Sequence, residues 1–266
     1  MKFIANVTCI ALMFMLTAES YGDEIVAWDH DARLISTPDT LRNDNNGGNT
    51  ATGALIGVNS GGVDNFMLYF FDVNSASGIT TTGAEVTIAV ANGQPGNVGS
   101  AEDTIRLHEI AIGNAGWDPG SDTITGADTP ATDGSVSFLH RAEFNDPASN
   151  ISWVDSSGTD VANVLGAFSE IGSQAGFGTP APTNITFTID AATAQGWIDN
   201  GLAGLALTAE DGGNGNGRFN FLSNDNAVNA ASSLTNITFF TEAVPEPSSV
   251  VLMGMFGIAA FMRRRR

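Results

Sequence analysis

The stretch Glu85-Val86-Thr87-Ile88-Ala89-Val90 alternates: Val86, Ile88 and Val90 fall on one side of an extended chain, Thr87 and Ala89 on the other. Successive side chains of a β-strand point to opposite faces, so this reads as a strand with one face in a core. The same period recurs in both directions from it. Strands are expected at residues 54–58, 66–73, 85–90, 104–110, 135–141, 184–189, 202–208, 218–222 and 234–240, about nine in all. Turn dipeptides punctuate the gaps: Asn92-Gly93, Asp133-Gly134, Asn200-Gly201, Asp211-Gly212, Asn214-Gly215 and Asn216-Gly217. Strands this short and this numerous need two packed sheets. The expected fold class is therefore all-β, a jelly-roll-like β-sandwich.

Two segments depart from period two. Val161, Val164, Leu165 and Phe168 recur at three- and four-residue spacing after Ser157-Gly158-Thr159-Asp160, which predicts a short capped helix. Residues 191–198 predict a second helical turn, capped by Asp190 or Thr193, with Trp197 and Ile198 facing the sandwich. Both are expected to act as lids on the β core. Residues 113–132, dense in Gly, Asp, Thr and Pro, read as a long surface loop, and no internal repeat is evident.

The flanks are of another kind. Residues 1–22 carry one basic residue, Lys2, an apolar core at 10–16 and small residues near Ser20 and Gly22, the pattern of a secretory signal peptide cleaved after Ser20 or, preferably, Gly22. At the other end, Pro245-Glu246-Pro247 precedes an apolar run at 250–262 and then Arg263, Arg264, Arg265 and Arg266. At about 1.5 Å per residue that run reaches roughly 20 Å as a helix, short of the roughly 30 Å hydrocarbon core that a stable span must cross. The arginines hold this end on the cytoplasmic side and leave the body on the far side of a membrane. The expected organisation is a signal peptide (1–22), a β-sandwich domain (23–243) and a C-terminal hydrophobic sorting segment (244–266).

The body in between has few chemical options. The single cysteine, Cys9, lies within the leader, so disulfides, Cys catalysis and Cys metal sites are excluded from the mature chain. The whole chain carries a formal charge of −19, and removing both flanks takes Lys2 and four arginines away, leaving Arg33, Arg42, Arg106, Arg141 and Arg218. Such a field repels nucleic acid and anionic lipid, so neither is an expected partner and a membrane is met only through the tail. The three histidines, His30, His108 and His140, have no metal-ligand spacing, no Gly-x-Ser-x-Gly elbow occurs, and no acid pair stands out as a glycosidase pair. Gly213 to Gly217 lacks a lysine and opens no helix, so it reads as a turn. Asp39, Asn43, Asp44 and Asn46 group four hard oxygen ligands that a loop could fold around Ca²⁺, with an Asn/Asp turn as the alternative. Glu210 and Asp211 with Asn224, Asp225 and Asn226 form a weaker group of the same kind. Of the four tryptophans, Trp117 in Gly-Trp-Asp-Pro-Gly is the expected exposed platform for a sugar ring.

Two resemblances bear on these readings. The tail resembles the PEP-CTERM sorting signal of Gram-negative, exopolysaccharide-producing bacteria. That resemblance implies export by the general secretion machinery, recognition by an exosortase-type peptidase, transient anchoring with the C-terminus cytoplasmic, and delivery to the cell surface or extracellular matrix. The body carries Asp39-Thr40-Leu41-Arg42-Asn43-Asp44 with Gly48-Asn49-Thr50, then Asn65-Phe66-Met67-Leu68-Tyr69-Phe70-Phe71-Asp72, then Ile151-Ser152-Trp153. Phe187-Thr188-Ile189-Asp190, Trp197 with Asn200-Gly201, Gly204-Leu205-Ala206-Leu207-Thr208 and Phe219-Asn220-Phe221-Leu222-Ser223 follow. From about Trp28 to Phe240 these phrases resemble the DNRLRE-type domain, which is similar to carbohydrate-binding jelly-roll modules. An arginine usual in the family's second phrase is absent, and its last phrase is replaced by Ser233-Leu234-Thr235-Asn236-Ile237-Thr238.

The expected function is thus a non-catalytic exported protein associated with exopolysaccharide. The alternatives are a polysaccharide-degrading enzyme or a purely structural coat protein. Residues 23–242 produced alone are expected to be soluble and folded, with a far-ultraviolet circular dichroism spectrum of β-structure and little helix; a disordered spectrum, or a need for the tail in folding, would refute this.

Overall fold

The computed structural model describes residues 23–35, 43–44, 54–58, 64–90, 99–114, 116–118, 133–178, 181–212, 217–222 and 235–241. Both proposed sorting flanks lie outside them. In chain order the elements are β1 (Glu24–Ala27), β2 (His30–Ile35), β3 (Asn43–Asp44), β4 (Ala54–Val58), β5 (Asp64–Asp72), β6 (Thr81–Ala89) and β7 (Thr104–Ile110). There follow β8 (His140–Ala142), β9 (Ile151–Val154), β10 (Asp160–Val161), β11 (Phe168–Ala175), β12 (Asn184–Ile189), α1 (Ala191–Asn200), β13 (Leu202–Glu210), β14 (Arg218–Phe221) and β15 (Asn236–Thr241).

The chain is mostly β and its sheets are antiparallel. The first sheet runs β1-β15-β6-β12, and the second runs β11-β7-β13-β5-β2-β3, with β4 paired to β5 and β14 paired to β4. The chain crosses between them: β1, β6, β12 and β15 belong to the first sheet, and the strands between them to the second or to a small third sheet, β10-β9-β8. The alternation read at 85–90 is the reason the sheets stack. Val86, Ile88 and Val90 point inward, and Glu85 and Thr87 are half-buried on the outer side. They meet Ile185, Phe187, Ile237 and Phe239 of their own sheet and Met67, Tyr69, Phe71, Leu107, Leu205 and Leu207 of the second. One apolar cluster is therefore shared by two sheets, and burial of such surface is the main force that holds them together.

The second sheet buries both faces. On its outer side Leu34, Phe66, Leu68, Ile110 and Ala206 pack under Trp117, Val136, Trp153 and Val164 from the segment that carries the third sheet. Trp153 is fully buried and its indole N–H donates to the Ser137 carbonyl at 3.1 Å. At one edge of the second sheet as the described residues form it, β11 pairs with β7 and shifts register by a bulge between Glu170 and Gly172.

Several expectations need correction. The fold has many more strands than the nine expected, because β1, β2, β3, β9, β10 and β11 lack a clean apolar alternation. At 135–141 the chain does not run straight: Ser135 only bridges to Glu143, and the Ser137 N–H reaches the His140 carbonyl at 2.8 Å to close a turn before β8. The helix expected across 161–168 is instead β10, a 3₁₀ turn at Val164–Ala167 and the start of β11. Its cap is Asn163, whose side-chain oxygen accepts from the Leu165 N–H at 3.1 Å. The lid over the second sheet is thus mainly a small sheet.

The other helix agrees with expectation. Asp190 caps α1, accepting from the N–H groups of Ala192 and Thr193 at 2.9 and 3.0 Å, and Gly201 ends it at φ 72°, a left-handed conformation that glycine adopts freely. Ala194, Trp197 and Ile198 are buried in the shared core, and the Trp197 N–H donates to Glu109 at 2.7 Å. Gln195 donates to the Ile79 carbonyl and accepts from the Thr81 N–H. The helix thus plugs the end of the sandwich where β12 and β5 finish and β6 and β13 begin. Replacing Asp190 with alanine is expected to cost about 1 kcal/mol in urea unfolding, and Asp190→Asn much less; equal midpoints for Asp190→Ala and the wild type would show that packing alone fixes the helix.

Candidate functional site

Beyond the lid, the outer face of the second sheet changes character. On β7 the side chains that point outward run Thr104, Arg106, His108, Ile110, from polar to apolar towards the covered end. On β13 the same direction reads Glu210, Thr208, Ala206. Where the two regimes meet lies an open groove of about 540 Å³, lined by Phe66, His108, Leu165, Phe168, Glu170, Thr208, Ala209, Glu210 and Asp211. Its apolar part is Phe66 and Phe168 with Leu165 at the rim, and Leu165 is 42% exposed.

Arg106 organises the polar part. Its guanidinium donates to Glu170 on β11 at 2.8 Å and to Glu210 on β13 at 2.7 Å, a bridge across three strands. These hydrogen bonds, to Glu210 first and Glu170 second, raise the guanidinium pKa further. Both glutamates are exposed and Arg106 is half-buried, so the bridge contributes little to stability and serves mainly to orient the carboxylates. His108 stacks on Phe168 with ring centroids 5.2 Å apart and meets the Thr208 hydroxyl at 2.9 Å through Nε2. Burial against this surface lowers the imidazole pKa; Glu170 opposes that shift and Arg106 adds to it. Beneath the acidic rim, buried Asp103 accepts from the N–H groups of Ser100 and Gly212 at 2.6 and 2.8 Å, which fixes the chain leaving β13. A Cβ at residue 212 would run into the Glu102 carbonyl, so glycine is required there. The groove therefore offers carboxylates held in place by a guanidinium, with an imidazole and a hydroxyl, beside an apolar floor, a combination suited to a ligand with hydroxyl edges and a flat apolar face.

The residues singled out from sequence are not brought together here. Trp117 is 3% exposed, packed in the outer cluster with its ring met edge-on by His30 at 4.6 Å and its carbonyl contacted by His30 Nε2 at 3.2 Å. The expected exposed platform is corrected: the lid segment turns this side chain inward onto the sheet. Asp39 and Asn46 lie outside the described residues, and Asn43 and Asp44 form β3, paired with Leu34 and Arg33. Asn224, Asp225 and Asn226 also lie outside them, while Glu210 and Asp211 line the groove. Among the described residues no group of three or more His, Asp or Glu is placed to hold a metal ion. The histidines serve different neighbours. His140 Nδ1 lies 2.5 Å from Glu143, which also accepts from Ser137 and Asn150 at 3.1 and 2.7 Å. The serine hydroxyl is bound to the carboxylate and not to the imidazole, so this network fastens a turn.

A protein-family model described as the PEP-CTERM protein-sorting motif matches residues 243–266. No curated protein matches the chain. The motif indicates an exported protein, sorted by an exosortase and transiently anchored at the membrane before processing. Among the described residues no helix is long and apolar enough to cross a membrane.

The lowered pKa of His108 has a consequence for stability. Because the folded state holds the proton less tightly than an unfolded imidazole near pH 6.5, the unfolded state binds more protons as the medium is acidified. Stability should be complete above about pH 6.5 and fall as pH drops from there towards the folded-state pKa. His108→Gln should flatten that part of the profile in urea titrations at pH 7.5 and 5.5, and an unchanged slope would refute the assignment.

Proposed function

We propose that this exported, exosortase-sorted chain is a non-catalytic glycan-binding protein of the cell surface or extracellular matrix, with jelly-roll connectivity, whose site is the groove around Arg106. The connectivity is supported by the order β1-β15-β6-β12 in one sheet and β5-β13-β7-β11 in the other, the interleaving of two nested Greek keys. It agrees with the resemblance of the body to DNRLRE-type domains, which rests on sequence phrases alone.

The observation that carries the binding reading is the Glu170–Arg106–Glu210 bridge beside Phe168. Oriented charged groups give strong hydrogen bonds to sugar hydroxyls, and an adjacent apolar surface receives the face of a sugar ring. The surplus of carboxylates favours a neutral glycan. An acidic one would need a bridging divalent cation, for which Asp39, Asn43, Asp44 and Asn46 are the proposed Ca²⁺ ligands.

Isothermal titration of residues 23–242 against neutral and acidic polysaccharides, with Ca²⁺ and with EDTA, tests this. Arg106→Ala is expected to weaken binding by about ten- to a hundredfold, the roughly 1.5–3 kcal/mol of charged hydrogen bonding from the carboxylates it orients. Phe168→Ala should weaken it as well. Failure to bind any glycan would leave the structural coat protein as the better account. Reproducible depolymerisation abolished by Glu170→Gln would make the chain an enzyme.

A further inference from the structure

The placement of the chain termini on the fold gives the domain a direction. β15 ends at Thr241 beside the start of β1: Phe239 pairs with Glu24, and the Thr241 N–H donates to the Asp23 carboxylate at 3.5 Å. Both flanks therefore depart from one end of the first sheet. It is the end where β6 begins and β12 finishes, the end that α1 plugs.

The sorting motif begins almost at once. The matched segment starts at residue 243, and Pro245 is only four residues past Thr241. At roughly 3.3–3.6 Å per residue, full extension spans about 14 Å. A compact domain of this size has a radius of gyration of about 17 Å, so the tether is shorter than the body it holds. A peptidase that grips the motif must therefore meet the protein surface around Thr241. That surface carries Asp23, Glu24, Asp72, Asp190 and Asp199, with no lysine or arginine on the strand and helix ends that form it. An anionic lipid surface repels such a face, whereas a protein can present complementary groups.

We infer that the helix-plugged end of the sandwich is the face that docks on the membrane-embedded processing peptidase, leaving the Arg106 groove and the opposite strand ends turned away from it. This rests on the reading of the tail as an exosortase substrate, and the docking face includes the exposed residues Ser77, Ala191, Ala192 and Asn200.

The test uses the full chain, trapped uncleaved by substitution of Pro245, Glu246 and Pro247 with alanine, in cells that carry an epitope-tagged exosortase-type peptidase. A photo-crosslinking residue is placed at Ser77 or Ala192 on the docking end, or at Glu102 or Asn184 on the opposite end. Crosslinks to the tagged peptidase are expected from Ser77 and Ala192 and not from Glu102 or Asn184. They should be lost when about twenty Gly/Ser residues, with a reach of roughly 25 Å, are inserted after Thr241. Equal crosslinking from both ends would overturn the face, and crosslinking of Ser77 and Ala192 to lipid alone would overturn the partner. Normal maturation of the triple-alanine chain would overturn the sorting reading itself, and with it this face.

Discussion

The first sheet is completed by its last strand. β15 lies between β1 and β6, and among the described residues β1 has no other strand beside it. Ile237 and Phe239, both fully buried, carry this strand's share of the core. No disulfide substitutes for that pairing, because the chain has a single cysteine, Cys9. The sandwich depends on contacts between the two extremes of its sequence, and such distant contacts are costly in loop entropy until they form. The shared core is complete only with Ile237 and Phe239 of β15 in place.

The rest of the architecture follows from how the second sheet is covered. Its inner face meets the first sheet, and its outer face is covered by the third sheet only over the apolar half. The uncovered half is where β7 and β13 turn polar, and Arg106 there joins three strands by charge where the lid has ended. The candidate site thus lies at a boundary between two packing regimes. The same strands serve core and site on alternate residues, which is why Ile105 and Leu107 are buried while Arg106 and His108 line or brace the groove.

The fold was legible where burial imposes a period. Strands at 54–58, 104–110 and 184–189 occupy the expected residues, and Asp190 caps the expected helix. It was illegible where a strand is stabilised mainly by backbone pairing: Phe168-Ser-Glu-Ile-Gly-Ser-Gln-Ala175 shows little apolar alternation, and only β7 explains its course. Apolar residues at 161, 164, 165 and 168 imitate a helix because they pack on a lid and a sheet edge in turn. The groove shared this difficulty. Arg106 and His108 were visible as polar residues two apart on one strand, but their partners Glu170 and Glu210 lie 64 and 104 residues from Arg106. Trp117 looked exposed because its neighbours are turn formers, yet a tryptophan beside a sheet finds more surface to bury than a loop sequence discloses.

The bulge in β11 has a bearing on what happens between copies of the protein. Among the described residues β11 is an edge strand, and an edge with an unbroken row of amide and carbonyl groups is a template for another chain. The shift between Glu170 and Gly172 interrupts that row, and Gly172 sits close against the Phe187 ring of the other sheet. Crowding of copies is the condition under which exposed edges nucleate fibres. An edge interrupted in this way is a poorer template for pairing between copies.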